Sequence, residues 1–137
     1  MNPADELRTA ATALRHLATA ATEDSGATWR ATRHFPDQPN SGFTALWGAE
    51  RPLLGGGGGG RGRPPAYVSA QVGDYIAAMG PNVGTLLADW LDEVATEVTA
   101  AEGTEYELHP DGGVFTSWEA ALAVARQINA NTSKDQP

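Results

Sequence analysis

Between Pro81 and about Ala100, the residues Val83, Leu86, Leu87, Trp90, Leu91, Val94 and Val98 recur at the 3.6-residue period of an α-helix. An apolar stripe this long has to be covered by another element. Each large side chain that it buries fully contributes roughly 1.5–3 kcal/mol. The chain must therefore supply a second apolar layer, and three further segments offer one. Asn2-Pro3 predicts the start of a first helix, with Asn as cap and Pro at the first helical position. Leu7, Ala10, Leu14, Leu17, Ala18 and Ala21 share a face of that helix, which ends at the Glu23-Asp24-Ser25-Gly26 cluster. A short helix begins at Ser69 or Ala70, carries Val72, Tyr75, Ile76 and Met79, and is broken at Gly80-Pro81. A last helix follows Thr116, whose spacing to Glu119 fits a capping box, and buries Trp118, Ala121, Leu122, Ala125 and Ile128.

Strand patterns lie between the helices. Residues 27–35 alternate, with Trp29, Ala31 and Phe35 on one side; Phe43 to Trp47 places Phe43, Ala45 and Trp47 together; Ala66 to Ser69 is a short third strand. Tyr106 and Leu108 alternate with Glu105 and Glu107, Pro110-Asp111-Gly112-Gly113 turns the chain, and Val114-Phe115 returns, so a hairpin is expected there. Segregated strands and helices predict an α+β fold: a small antiparallel sheet, made of a short meander plus the C-terminal hairpin, with about four helices packed mainly on one face. One domain is expected over 1–130, with a flexible glycine-rich loop at 55–65, followed by a disordered polar tail at 131–137.

Charge divides the chain unevenly. Residues 1–66 hold seven arginines and six acids, whereas 67–137 hold eleven acids against Arg126 and Lys134. Binding to phosphates needs clustered cations, so direct nucleic-acid binding is not expected of the acidic half. With no cysteine in the chain, disulfides, thiolate metal sites and cysteine nucleophiles fall together. No apolar run approaches the ~20 residues that span a bilayer. The first helix carries charges at helical spacing rather than the apolar core of a signal peptide. A cytoplasmic location is the expectation, with no membrane association.

The residues offer little chemistry. His16, His34 and His109 are separated beyond any helical metal-site spacing, no serine sits in a nucleophile elbow, and the glycine run Gly55 to Gly60 leads into Arg-Gly-Arg-Pro-Pro rather than into a helix. No catalytic residue, cofactor or metal is expected, and the protein reads as a non-enzyme. The four tryptophans, Trp29, Trp47, Trp90 and Trp118, are expected in the core. The sharpest feature is acidic: Asp89, Asp92, Glu93 and Glu97 lie on the long helix, with Asp89, Glu93 and Glu97 stacked at i, i+4. Like charges so placed repel by a few tenths of a kcal/mol each, and they fill the half of the helix whose dipole favours cations. Pairing with Arg8, Arg15, Arg30 or Arg33, a merely solvated face, or a face for a basic protein partner would each account for them.

Two stretches carry a resemblance. Leu17 to Arg30 reads LATAATEDSGATWR, and Tyr75 to Ala95 reads YIAAMGPNVGTLLADWLDEVA. Through Ala20-Ala21-Thr22, Trp29, Tyr75-Ile76-Ala77, Pro81 and the Leu86 to Leu91 segment, the chain resembles the Ead/Ea22-like family of small phage and prophage proteins over about residues 7–98. It departs from that pattern where Glu23 to Thr28 replaces a compact Pro-Gly-Pro, and in its glycine run. The resemblance implies a phage or prophage accessory protein with no assigned catalytic residues. The functional expectation is a protein acting through protein–protein contact on an acidic surface made of Asp89, Asp92, Glu93, Glu97, Glu105 and Glu107, toward an unknown partner with a basic surface. An acidic nucleic-acid mimic that occupies a basic DNA-binding site, and a metal-dependent hydrolase built on the acidic helix, are the alternatives. Oligomeric state, a dimer included, is left open.

Overall fold

The structure is a computed structural model that describes residues 1–33, 42–49, 51–54, 67–101 and 116–133, with Thr116 and Ser117 described in their backbone alone. The elements run α1 (Pro3–Ser25), β1 (Trp29–Arg33), β2 (Phe43–Gly48), β3 (Arg51–Pro52), β4 (Val68–Ser69), α2 (Ala70–Ala78), α3 (Pro81–Ala101) and α4 (Thr116–Ser133). The fold is α+β, with four helices and a four-stranded antiparallel sheet among the described residues. The expected hairpin at 105–115, the glycine-rich loop at 55–65 and the side-chain half of the Thr116 capping box lie outside the described residues. The chain divides into two compact units: Met1–His16 with Thr85–Pro137, and Leu17–Gly84.

The first unit is built helix on helix. Its core joins Ala4, Leu7, Ala10 and Ala11 of α1, Ala88, Leu91, Val94, Ala95 and Val98 of α3, and Ala121, Leu122 and Ala125 of α4. Leu14, Trp90, Trp118, Val124 and Ile128 pack against its margin. Seven of these twelve buried residues are alanines, so the helices meet through methyl groups more than through large side chains. That explains one departure from the expected α3 stripe. The facing positions are Ala88, Leu91, Ala95 and Val98, and Leu86 lies about 140° from Leu91 at 100° per residue; it is 67% exposed. The α1 start is as its residues predict: Asn2 Oδ1 accepts the Asp5 N–H at 2.9 Å, with Pro3 as the first helical residue. The expected tail is corrected in part, because α4 continues to Ser133. Thr132 Oγ1 donates to the Ile128 carbonyl at 2.9 Å and Gln127 Nε2 donates to Asn131 Oδ1 at 3.0 Å, so these polar side chains bond along the helix instead of fraying it. Residues 134–137 lie outside the described residues.

In the second unit β2 is central. β1 pairs along one of its edges, and β3 and β4 share the other, at Trp47-Gly48 and Phe43-Thr44 respectively. α2 packs against β1, β2 and β4. The register places Trp29, Ala31 and Arg33 opposite Gly48, Leu46 and Thr44, and α2 covers this face through Gly73 and Thr44. Trp29 and Ala31 thus face inward as expected. In β2 the expected face is reversed: Thr44 and Leu46 turn toward α2, while Phe43 and Trp47 share the opposite face with Arg30 and Thr32. Trp47 is accordingly not a core residue; its Nε1 donates to Thr32 Oγ1 at 2.9 Å and the Arg30 guanidinium lies 5.8 Å from its ring centroid, within cation–π range. Leu17, also expected inside, is 52% exposed. The helix stop at Gly26 is a left-handed cap, with φ +82° and its N–H donated to the Thr22 carbonyl at 2.9 Å, the position where glycine is least strained.

Candidate functional site

The acids of α3 are positioned by the same helical phase that buries Leu91 and Val98. Among them, Asp89 and Asp92 flank the core-facing stripe, and there α1 presents Arg15. Its Nη2 donates to Asp89 Oδ1 at 3.1 Å and to Asp92 Oδ2 at 2.8 Å. The hydrogen bond to Asp92, then that to Asp89, raises the Arg15 guanidinium above its ordinary value, so it stays charged at every accessible pH. All three side chains are about half exposed, and an ion pair that wet is worth ~1 kcal/mol or less.

Glu93 and Glu97 stand one turn apart on the exposed part of α3. Among the described residues no cation pairs with either of them. Arg8, Arg30 and Arg33, the other cations that the sequence proposes, are engaged elsewhere, as is Arg126. In the first unit, Arg8 reaches Thr99 Oγ1 at 2.9 Å and Asp5 at 3.8 Å, and Arg126 Nε binds Glu6 Oε2 at 3.1 Å. In the second unit, Arg33 forms a two-pronged bond to Asp74, both arms 2.9 Å, which holds the Asp74 carboxyl below its ordinary range. Arg30 caps the Ala49 carbonyl at 2.8 Å. Glu105 and Glu107, the hairpin part of the proposed surface, lie outside the described residues.

Divided by unit, the sequence charge separates completely. The first unit holds twelve acids and four basic residues; the second holds five of each. The entire net charge of −8 therefore belongs to the helical unit.

Little else converges. A groove of about 680 Å³ runs along α1 and α4, lined in part by Glu6, Arg126 and Asn129. Glu6 and Arg126 satisfy one another there, and Asn129 Nδ2 donates to the Glu6 carbonyl at 3.1 Å. A shallower groove of about 540 Å³ is lined by Arg8, Thr9, Thr12, Ala13 and His16. No group of three or more His, Asp or Glu side chains among the described residues could hold a metal ion. His34 and His109 lie outside the described residues. No helix among those described is long and apolar enough to cross a membrane. Comparison of the chain with protein-family models, with curated proteins and with solved structures finds no match.

Proposed function

We propose that the protein is a non-enzymatic accessory protein that works through protein–protein contact, its acidic helical unit engaging a basic protein surface. The observation that carries this reading is the pair Glu93 and Glu97: exposed like charges one turn apart, paired with no cation among the described residues, in a unit of twelve acids and four basic residues. Repulsion between them weakens α3 by a few tenths of a kcal/mol, and a basic partner would reverse its sign. Asp89 and Asp92 contribute less to such a surface than their spacing suggests, because Arg15 occupies both. The same bridge weighs against a nucleic-acid mimic, which needs a row of free carboxylates. A metal-dependent hydrolase would need a third ligand beside these acids. A phage or prophage role is proposed on the resemblance of residues 17–30 and 75–95 alone.

The test is a pull-down from the host cell with the native protein and the double variant Glu93→Lys/Glu97→Lys, washed at low and at high salt. The native protein is expected to retain a partner at low salt and release it as screening shortens the reach of the charges. A variant that keeps every partner of the native protein would overturn the acidic-surface reading.

A further inference from the structure

Helix α2 has two apolar sectors, and among the described residues only one of them is covered. Gly73 is buried on β2 and Ile76 is half-buried, whereas Val72, Tyr75 and Met79 remain 50%, 69% and 45% exposed. Spaced i, i+3, i+7, the exposed three form a single seam along the helix. Helices that face water ordinarily carry charge on that side. The only charged residue of α2 is Asp74, and Arg33 closes it with two hydrogen bonds. Gln71 and Ala78, the other exposed residues of this helix, are uncharged.

We propose that the protein self-associates through α2, Val72, Tyr75 and Met79 of one copy packing against the same seam of a second. Two features favour a second copy over a different partner. An isologous interface must be complementary to itself, and an uncharged apolar seam is, whereas a charged one would meet its own sign. The distribution of charge between the units acts in the same direction. Contact through the helical unit would set an excess of eight negative charges against the same excess, but the unit that bears α2 holds five acids and five basic residues. The seam exposes roughly 300 Å², a central part of the ~800 Å² per partner that a standard interface covers. Area alone does not set affinity, so the concentration range of the test spans weak to moderate association.

Sedimentation equilibrium of the full chain from about 1 µM to about 500 µM brackets that range. The expected result is a monomer–dimer equilibrium that Tyr75→Asp shifts at least about tenfold toward monomer, as loss of a central aromatic anchor does. Val72→Asp serves as a second variant, and far-UV circular dichroism verifies that each is folded. Glu93→Lys/Glu97→Lys is expected to leave the equilibrium in place, which separates this proposal from the acidic-surface reading. A chain that is monomeric throughout the range overturns the proposal, as does a dimer that survives both folded seam variants.

Discussion

Replacing Gly73 by alanine sets two opposed effects against each other, and the structure decides the sign. In a freely exposed helix, Gly→Ala stabilises by about 1 kcal/mol, through backbone entropy and helix propensity. At Gly73 the added Cβ would lie 2.4 Å from Thr44 Cγ2, 2.9 Å from Thr44 Cβ and 3.2 Å from Val68 Cγ2. Thr44 cannot swing aside. It is fully buried, β-branched, and its Oγ1 accepts a 2.7 Å hydrogen bond from Arg33 Nη1. Relief requires α2 to lift from the sheet, which disturbs the Arg33–Asp74 pair as well. Overpacking of this kind costs about 1–3 kcal/mol, more when backbone must move, so the net expectation is a loss of up to about 2 kcal/mol. Urea denaturation followed by circular dichroism would compare native protein, Gly73→Ala, Thr44→Ser and the double variant. Serine keeps the hydroxyl but removes Cγ2, so the double variant should recover at least about 0.5 kcal/mol relative to additivity. A Gly73→Ala protein more stable than the native one would refute the close-approach argument outright.

Two further perturbations test the sheet unit. Ala49 holds φ +48° just after β2, so Ala49→Gly should stabilise the fold by about 0.5–1 kcal/mol after the entropy of the unfolded chain is subtracted, read as a higher urea midpoint. Asp74 is held below its ordinary value of 3.8, chiefly by the hydrogen bond from Arg33; a depressed carboxyl stabilises the fold above its unfolded pKa and loses that contribution as pH falls through the folded one. An NMR titration should therefore place the Asp74 midpoint below 3.8 and Arg33→Ala should raise it, whereas an unmoved midpoint in that variant would count against the pair.

What the sequence reveals and what it hides follow a common logic. The ends of α1 are local events: Asn2 caps three residues ahead, and Gly26 is needed for its own backbone angle. Both are readable from the residues themselves. The pairing of β2 with β3 is not, because Ala49, at φ +48° just after β2, is not the Gly, Asn or Asp that usually announces such a turn. Nor is the face of β2, since Phe43, Ala45 and Trp47 form the more apolar phase, yet Thr44 and Leu46 of the other phase turn toward α2. The decision falls to Gly73, some thirty residues away, whose missing side chain lets α2 settle on Thr44. For the candidate site, the sequence suggests that an arginine closes the α3 acids but names four. Arg15 is selected by how α1 and α3 dock, at a separation of 74 and 77 residues, where no local spacing rule reaches. The exposed Leu86 reflects a different bias. Large apolar residues dominate a periodicity reading, while Ala88 and Ala95 occupy the buried positions.

That alanine-lined core also sets which changes the helical unit can absorb. Burying an alanine freezes no rotamer, so its helices associate with little loss of side-chain entropy. Cores built on leucine and phenylalanine are injured chiefly by truncation, which opens cavities. Here most core positions have only one methyl to lose, and the greater hazard is enlargement. Ala→Val at Ala10, Ala95 or Ala125 would push helices apart, whereas Ala→Gly costs about 1 kcal/mol in helix propensity, so the unit's tolerance to mutation should be asymmetric, with growth costing more than shrinkage.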